Sequence, residues 1–365
     1  MLRWLGIALG GLFVVALAAT SAVYFVPAVQ DALFRRLVSS NILATHDELL
    51  ADDALRAVVC GSSSPMPDAN RAKACIAIFA GGRMYVVDTG PQSAGKAMLL
   101  RLPLAAIGGV FYTHFHSDHI ADLGEFNMNS WVLGRTAPLD VYGPPGVERV
   151  VAGFSEAYAL DQTYRTAHHG AEIANPALWP MVAHPVPMPG KATPAHDRTA
   201  VVLDNGSLKI TAIEVNHEPI SPAYGYRFDY KGRSLVISGD TAKHAPLAVA
   251  ANGADVLFHE AQAQHMVKVM QEGMRARGNA RFVKVLGDIQ SYHSSPVDAA
   301  DIANRAGVKL LVLYHYTPPV PNLITERIFT RGLSAARQGK WLMSRDGTMI
   351  ELPLGAETVR TSTLR

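Results

Sequence analysis

Metal-binding residue types are concentrated in one stretch of the chain, where His114, His116, Asp118 and His119 fall within six positions. Side chains two apart on an extended strand end point to the same face, so we expect His114 and His116 to lie together. Ser117 and Asp118 are typical of a turn into a helix, which would bring the second pair beside the first. Three imidazoles and a carboxylate suit zinc or a similar divalent ion, and this geometry allows the four residues to supply ligands to two neighbouring ions.

Three more ligand types, His217, Asp240 and His315, follow other predicted strands. Each of these side chains comes at the end of its strand, where the rigid sheet meets a mobile loop. The strands are predicted over Ile210–Val215, Ser234–Ser238 and Leu310–Tyr314. Together the residues predict a first ion on His114, His116 and His217, a second on Asp118, His119 and His315, and Asp240 as the bridge.

Two ions about 3.5–4 Å apart lower the pKa of a bridging water and clamp the attacking and leaving oxygens. That chemistry hydrolyses an ester, a phosphodiester, a sulfate ester or a lactone. Asp118 and Asp240 would then be catalytic as well as metal-binding. His293, just ahead of a helix predicted from Val297 to Ala306, is the candidate to protonate the leaving group or to bind transition-state charge.

A hairpin predicted around Gly81 ends in Asp88, which either holds a metal-binding histidine by a hydrogen bond or is an ordinary turn residue. Cys60 and Cys75 are too few for a disulfide scaffold. They flank a predicted turn, and they either pair across a hairpin in an oxidising compartment or stay as two buried thiols.

The N-terminal segment from Trp4 to Val29 carries no charged residue and is long enough to cross a bilayer. It is either an uncleaved signal anchor or a signal peptide cut after Ala18–Ala22. We therefore expect a membrane-anchored or exported protein with its catalytic core on the extracytoplasmic face. The predicted organisation is an anchor or signal peptide at 1–36, a helical linker at 37–55, a catalytic domain at 56–353 and a tail at 354–365.

Two other segments leave alternatives open. The proline-rich stretch Thr163–Pro194 is predicted to be an irregular rim or lid, in which His168 and His169 either touch substrate or are exposed. A helix predicted from about Met266 to Lys284 is either a lid whose methionine face covers an apolar substrate or an ordinary amphipathic helix. Its basic residues are fewer than a phosphate-backbone partner requires, and they are Lys268, Arg275, Arg277, Arg281 and Lys284.

From about Arg56 to Pro353 the sequence resembles the metallo-β-lactamase superfamily. The matching motifs are Thr113-His114-Phe115-His116-Ser117-Asp118-His119, Asn216-His217, Ser238-Gly239-Asp240-Thr241 and Tyr314-His315. The resemblance implies an α/β fold, a four-layer αββα sandwich whose site lies at one edge of two β-sheets. One N-terminal hydrophobic helix would precede that sandwich.

Within the superfamily, the chain looks most like the ribonuclease Z branch. The motifs that carry this likeness are His217-Glu218-Pro219, Phe258-His259-Glu260-Ala261 and Tyr292-His293-Ser294-Ser295. Three features depart from a tRNA-processing enzyme. Tyr226–Gly239 is barely one hairpin where that branch has a long tRNA-gripping arm, the last histidine is followed by Tyr316, and the N-terminal segment suggests export. Arylsulfatase-type and phosphodiesterase-type enzymes belong to the same branch.

The sequence therefore predicts a hydrolase with two divalent metal ions, zinc in the first place, acting on a small sulfate or phosphate ester. A ribonuclease Z-like endoribonuclease acting on tRNA 3′ ends is the alternative, and a non-catalytic binding protein on the same fold is a second. The predicted partners are a small-molecule ester and, through the N-terminal segment, a membrane; a homodimer stays open. A net charge of +2 is too small to suggest a nucleic-acid binder by bulk charge, so nucleic acid is a disfavoured partner that stays open.

Overall fold

The computed structural model describes residues 2–39, 44–190 and 192–364. Within the first helix, the side chains described are those of Trp4 and of residues 9–25. The chain divides into two compact units, Met1–His46 and Asp47–Arg365. All of the predicted metal ligands and His293 belong to the larger unit.

The smaller unit contains two helices, α1 (Leu2–Phe25) and α2 (Pro27–Ser39), where the sequence predicted one hydrophobic helix followed by a helical stalk or linker from Asp31. Pro27 explains the break, because a residue before proline is disfavoured in helical conformation. Among the described residues, no single helix is long and apolar enough to span a membrane. The pair Leu9–Phe25 and Pro27–Ser39, which is bent by 83° at the break, reaches the required length and apolar character when the two helices are counted together. The side chain of Arg3 and residues 40–43 of the predicted linker lie outside the described residues.

Fifteen strands in the described part of the larger unit form two mixed sheets. The first sheet has the order β15-β14-β1-β2-β3-β4-β5-β6, and the second has the order β13-β12-β11-β10-β9-β8-β7. In chain order the strands are β1 (Ala54–Gly61), β2 (Cys75–Ala80), β3 (Arg83–Val87), β4 (Ile107–Phe111), β5 (Leu139–Gly143), β6 (Met181–Pro185), β7 (Thr199–Asp204), β8 (Leu208–His217), β9 (Ile220–Tyr230), β10 (Arg233–Ile237), β11 (Val256–Gln262), β12 (Leu310–Thr317), β13 (Lys340–Met343), β14 (Thr348–Pro353) and β15 (Arg360–Thr363).

The two sheets pack face to face, and helices cover both outer faces. In β2, Ile76 and Ile78 join a core shared with Phe228 of the second sheet, whereas Phe79 points the other way and packs with Phe126. Both faces of such strands are buried, which explains their nearly continuous apolar sequences. The helices are α3 (Ser93–Leu99), α4 (Ser117–Ile120), α5 (Leu123–Val132), α6 (Val147–Ala157), α7 (Ala159–His169), α8 (Ala245–Ala250), α9 (Gln264–Ala276), α10 (Ala280–Asp288), α11 (Pro296–Arg305), α12 (Leu323–Phe329) and α13 (Leu333–Ala336). The predicted αββα sandwich is confirmed.

Strand direction gathers the functional residues at one edge. In the first sheet β3 and β4 are parallel, and in the second β10, β11 and β12 are parallel. β8 runs in the same direction as β10, because both pair antiparallel with β9. The carboxyl ends of these strands therefore meet at a common edge of each sheet.

Several stretches differ from the sequence prediction. α7 continues to His169, so the first part of the segment predicted to be irregular from Thr163 is helical, and β6 adds an edge strand within it. The expected tail at 354–365 contains β15, which pairs with β14. These elements were missed because α7 buries none of its residues and short edge strands carry weak alternation.

Cys60 and Cys75 form a disulfide that joins β1 to β2, with the two Cα atoms 5.0 Å apart. Both sulfur-bearing residues are fully buried. The bond closes the loop that follows β1, which contains the buried Arg71 and Lys73. Of the two alternatives left by the sequence, the structure has the pairing across neighbouring strands.

Candidate metal centre

The predicted ligands come together from both sheets. His114 follows β4 in the first sheet, and the turn after it enters α4, which carries Asp118 and His119. In the second sheet, His217 is the last residue of β8 and His315 lies near the end of β12. Asp240 follows β10, and completes the set from the second sheet.

Their ligand atoms form three overlapping groups, in each of which the atoms lie within 4.8 Å of one another. The first two groups are the triads that the sequence predicted for two ions. The third group joins Asp240 to one histidine from each triad, as a bridging carboxylate requires. The groups are His114, His116 and His217; Asp118, His119 and His315; and His114, His119 and Asp240.

Four buried atoms of this cluster have no hydrogen-bond partner among the described residues. They are His119 Nε2, His217 Nε2, Asp240 Oδ1 and His315 Nδ1. Buried polar atoms are nearly always paired, so four orphaned atoms in one cluster indicate a shared partner that is not part of the chain. Imidazole nitrogens and carboxylate oxygens are donors that divalent ions take, and the residues therefore fit a metal.

Neighbouring groups fix the orientation of the histidine rings. Asp88 Oδ2 lies 2.8 Å from His119 Nδ1, and Asp88 Oδ1 accepts a hydrogen bond from the Thr113 amide at 2.9 Å. His217 Nδ1 lies 3.1 Å from the carbonyl oxygen of Tyr292. In both rings Nδ1 is engaged and Nε2 is left toward the cluster, which is how proteins orient metal-binding imidazoles.

The protonation preferences of the cluster also favour a cation. Burial lowers the pKa of His114 well below its ordinary value, and burial lowers those of His116 and His217, so these rings are neutral. Burial opposes ionisation of Asp118, but the charge of His119 and a hydrogen bond from His315 outweigh it and lower its pKa to about 2.

His119 has the opposite tendency. Burial disfavours its charged form, yet the carboxylates of Asp240, Asp118 and Asp88 outweigh burial and raise its pKa well above the ordinary value. A site that holds positive charge among three carboxylates is one where a metal cation can replace the proton.

His293 stands at the rim of the cluster, with its ring centre 5.4 Å from that of His217 and 6.1 Å from that of His315. Its Nδ1 lies 3.1 Å from Oε1 of the buried Glu260. Burial disfavours the charged ring, but the Glu260 carboxylate outweighs burial and raises the pKa of His293 to about 9. His293 therefore holds a proton at neutral pH, as a proton donor must.

Glu260 is the residue whose role the sequence did not reveal. It lies within the fully buried strand β11, and its Oε1 also accepts hydrogen bonds from the amides of Ser294 and Thr241. One carboxylate thus connects His293 to the turn after Asp240. A glutamate two residues after the apolar run Val256–Phe258 was the available signal, because a carboxylate buried with such a strand needs partners.

A cavity of about 430 Å³ opens beside the cluster. The exposed edge of His116 and the ring of Tyr292 belong to its wall, together with Glu218 and Asp288. The remaining lining residues are His217, Pro219, Ile220 and Ser291. In contrast, His168 and His169 are exposed at the end of α7 and belong to none of the three ligand groups.

Two residues of the centre have left-handed backbone conformations, which side-chain-bearing residues seldom adopt. His315 has φ of 47° and Asp88 has φ of 59°. Gly239, just before Asp240, has φ of 62°, and a Cβ there would lie 2.3 Å from the Tyr224 carbonyl oxygen. Such strain is commonly kept where a fold must aim a functional side chain.

Residues 83–316 match the model of the β-lactamase superfamily domain, which covers more than half of the chain. The chain belongs to the metallo-β-lactamase superfamily. It is a metal-dependent hydrolase that acts on ester bonds, and its histidine and aspartate groups indicate divalent metals.

Similar proteins carry the name ribonuclease Z. The chain is 35% identical over 270 residues to that of Mycobacterium bovis, covering 73% of this chain and 87% of the relative. It is 34% identical over 273 residues to that of Mycobacterium sp. strain KMS, covering 73% and 85%. The crystal structure of human tRNase Z, short form, has a TM-score of 0.57 at 19% identity, covering 82% of this chain and 99% of the other, which shows a shared fold.

These comparisons correct the predicted substrate. The expectation of a small sulfate or phosphate ester was wrong, because ribonuclease Z proteins match nearly three quarters of the chain. The comparisons support neither an arylsulfatase nor a membrane or small-molecule partner. The name of these relatives also counts against the expectation that nucleic acid is a disfavoured partner, since total charge does not report how charge is distributed over the surface.

Proposed function

We propose that this superfamily member is an endoribonuclease of the ribonuclease Z type, which hydrolyses a phosphodiester bond at the 3′ side of tRNA-like RNA. The observation that carries the proposal is the identity of 34–35% that extends over 85–87% of the length of proteins named ribonuclease Z. The seven ligand-type residues and the Glu260–His293 pair of this chain support the same chemistry.

We assign two divalent ions, zinc in the first place, to the residues that the sequence singled out. His114, His116 and His217 would hold one ion, and Asp240 would lie between it and the second. Asp118, His119 and His315 would hold that second ion. When bound, such a pair supplies a reactive water and positive charge for the phosphoryl oxygens.

The chain's own residues have the remaining roles in this proposal. Asp88 keeps His119 in the required ring orientation through its 2.8 Å contact. His293, which Glu260 keeps protonated, gives its proton to the leaving oxygen of the ribose. Tyr292, whose ring borders the cavity next to His116, offers an aromatic face for a base beside the scissile bond.

We also propose that the catalytic unit works outside the cytoplasm. The buried disulfide between Cys60 and Cys75 supports an oxidising compartment. The uncharged segment from Trp4 to Val29 supports export or anchoring. In that case the substrate is RNA that has left the cytoplasm. The location is tested by quenching whole cells in acid, unfolding the protein and labelling the two cysteines with a thiol reagent, with and without prior reduction. Free thiols before reduction would contradict it.

The substrate is tested with the full chain loaded with zinc and separately with manganese. A precursor tRNA, an unstructured RNA of equal length and an aryl phosphodiester are compared, with the Asp240→Ala variant as the blank. We expect cleavage at one position near the 3′ end of the tRNA and slower cleavage of the unstructured RNA. Turnover of the aryl diester with both RNAs intact would refute the proposed function.

A further inference from the structure

Two helices form a hairpin that extends from the rim of the catalytic cavity. α9 and α10 are joined by three residues, Arg277–Asn279, and residues 264–288 are defined as the basic hairpin. Val267 is the buried residue of α9 and Leu286 is that of α10. With so little burial, the hairpin stands away from the core of the unit, and α9 with its 13 residues is about 20 Å long.

The basic hairpin is positively charged, whereas the whole chain is nearly balanced at 33 basic and 31 acidic residues. Its acidic residues are Glu272 and Asp288, and Asp288 already pairs with Lys284 at 2.5 Å between Nζ and Oδ1. Its basic residues, all exposed, are Lys268, Arg275, Arg277, Arg281 and Lys284.

Uncompensated charge is concentrated at the tip. Arg275, Arg277 and Arg281 lie at the end of α9, in the connection and at the start of α10. None of the three forms an ion pair within the described portion of the chain. Exposed and unpaired arginines add little to the stability of the fold. Their guanidinium groups are therefore available to a partner, and phosphate is the group that arginine recognises best.

The base of the hairpin connects this charge to the catalytic centre. Asp288, the last residue of α10, and Tyr292 both line the cavity beside His116. Gln262 Nε2 donates a hydrogen bond to the Ile289 carbonyl oxygen at 2.7 Å, which fastens the end of the hairpin to β11. Within the hairpin, Gln271 Nε2 donates to the Val283 carbonyl oxygen at 2.8 Å. The tip therefore lies about one length of α10, roughly 14 Å for its 9 residues, from Asp288 at the cavity wall.

We propose that the basic hairpin is the docking arm for the RNA substrate, and that its tip arginines bind the phosphate backbone at a distance from the scissile bond. This inference rests on the proposed function and names the part of the surface that grips the substrate. An anionic membrane is the other partner that a basic hairpin could suit. Val269, Phe282 and Val285 are exposed along the hairpin, so a vesicle measurement is needed to separate the two partners. RNA is favoured because the uncompensated charge at the tip consists of arginine guanidinium groups, whose paired donors match phosphate oxygens along a nucleic-acid backbone.

The test replaces three tip residues together, as Arg275→Gln, Arg277→Gln and Arg281→Gln. The matched control removes three exposed basic residues elsewhere, as Arg83→Gln, Arg149→Gln and Lys340→Gln. Arg83 and Lys340 begin β3 and β13, at the opposite edge of the sheets from the ligand cluster. Circular dichroism and melting temperature establish that both variants fold. Each variant is then assayed on precursor tRNA and on an aryl phosphodiester over a range of salt concentrations.

Three lost phosphate contacts should reduce the slope of log kcat/KM against log salt by about 2–3 for the RNA. At 0.15 M salt the corresponding loss in kcat/KM is on the order of 50-fold. The aryl phosphodiester is too small to contact the tip, so the tip variant should hydrolyse it with the parental kcat/KM. The control variant should have the parental kcat/KM on both substrates. An unchanged salt slope for the tip variant, or an equal loss in the control, would overturn the proposal.

Binding separates this proposal from the proposed function. Fluorescence anisotropy of labelled precursor tRNA with Asp240→Ala measures docking without cleavage, and the tip substitutions added to that variant should weaken binding by a similar factor. If the parent binds RNA through the tip but cleaves only the aryl diester, the docking arm stands and the proposed function fails. If tip substitutions leave RNA binding intact but abolish sedimentation with phosphatidylserine vesicles, the arm binds membranes and the inference is wrong.

Discussion

The contact between Asp88 and His119 gives the sharpest prediction about the metal centre. Asp88→Asn keeps the size of the side chain, and asparagine also tolerates the left-handed backbone found there, with φ of 59°. The amide oxygen can still accept the Thr113 hydrogen bond now measured at 2.9 Å. The amide nitrogen, however, would face His119 Nδ1 at the 2.8 Å contact. A donor there makes Nδ1 the acceptor and moves the ring proton to Nε2, the nitrogen needed for the metal.

The size of the effect follows from what the carboxylate does. Removing a group that orients a metal-binding histidine typically costs 10–100-fold in metal affinity or activity, or about 1.4–2.7 kcal/mol. His119 Nε2 makes no hydrogen bond among the described residues, but Asp240 Oδ2 lies 3.4 Å and Asp118 Oδ2 3.5 Å away, so these carboxylates would hold a proton on Nε2 and keep that nitrogen from the metal. We therefore expect the dissociation constant of the ion held by His119 to rise 10–100-fold in Asp88→Asn.

The assay is competition for zinc, and separately for manganese, with a chromophoric chelator, followed by turnover of an aryl phosphodiester at saturating metal. The matched control is Asp255→Asn, which changes another buried aspartate at the opposite end of β11. Asp255 pairs with Arg233 at 2.9 Å, and losing half of a buried pair should destabilise the protein by about 3–5 kcal/mol. Its metal affinity should stay at the parental value.

Two results would count against this reasoning. If Asp88→Asn binds both ions as tightly as the parent, Asp88 does not set the ring orientation of His119. If the Asp255→Asn control loses metal affinity to the same degree, general destabilisation explains the loss and the specific contact does not.

Three further outcomes are expected. Gly239→Ala should reduce turnover at least tenfold, because its Cβ would lie 2.3 Å from the Tyr224 carbonyl oxygen and force the following turn to shift; parental kcat would contradict this. His293→Asn should slow esters with poor leaving groups by about 10²-fold or more and activated esters less, and equal losses on both would argue against proton donation. Burial opposes ionisation of Asp255, but hydrogen bonds from Arg233, the Ser234 amide and Lys309 together outweigh burial and lower the pKa of this carboxyl below its ordinary value. A carboxyl whose pKa is lowered on folding stabilises the folded protein above its unfolded-state pKa, and this stabilisation is lost as the pH falls through its folded-state pKa. The difference in unfolding free energy between the parent and Asp255→Asn, measured in urea, should therefore be larger at pH 7 than below about pH 4. A difference that does not change with pH would refute the assignment.

The clustering of the seven ligand-type residues could be predicted because their spacing is local or their positions are marked by strand ends. His114, His116, Asp118 and His119 fall in one short run, and a strand that ends in histidine or aspartate is recognisable in the sequence. The sandwich was predicted through the same motifs. Neither step needed knowledge of which strands pair.

The features that escaped prediction depend on tertiary contacts. Glu260 has its role only because the turn carrying His293 packs against β11, and no local pattern expresses that contact. α7 and β15 were missed because amphipathic spacing and alternation are weak where little is buried. The basic hairpin was visible as five positive residues, but their lack of ion pairs at the tip could be recognised only in three dimensions.

The division of the ligands between the two sheets has a consequence for how the protein matures. Four of them follow β4, whereas His217, Asp240 and His315 come from the second sheet. A nascent chain therefore has an incomplete chelator until both sheets have docked, so full occupancy marks the end of assembly rather than its beginning. An ion captured at that stage stabilises the docked state by mass action, about 2.7 kcal/mol at a hundredfold excess over its dissociation constant. Metal supply would then determine how much of the newly made protein survives proteolysis, as well as how fast it works.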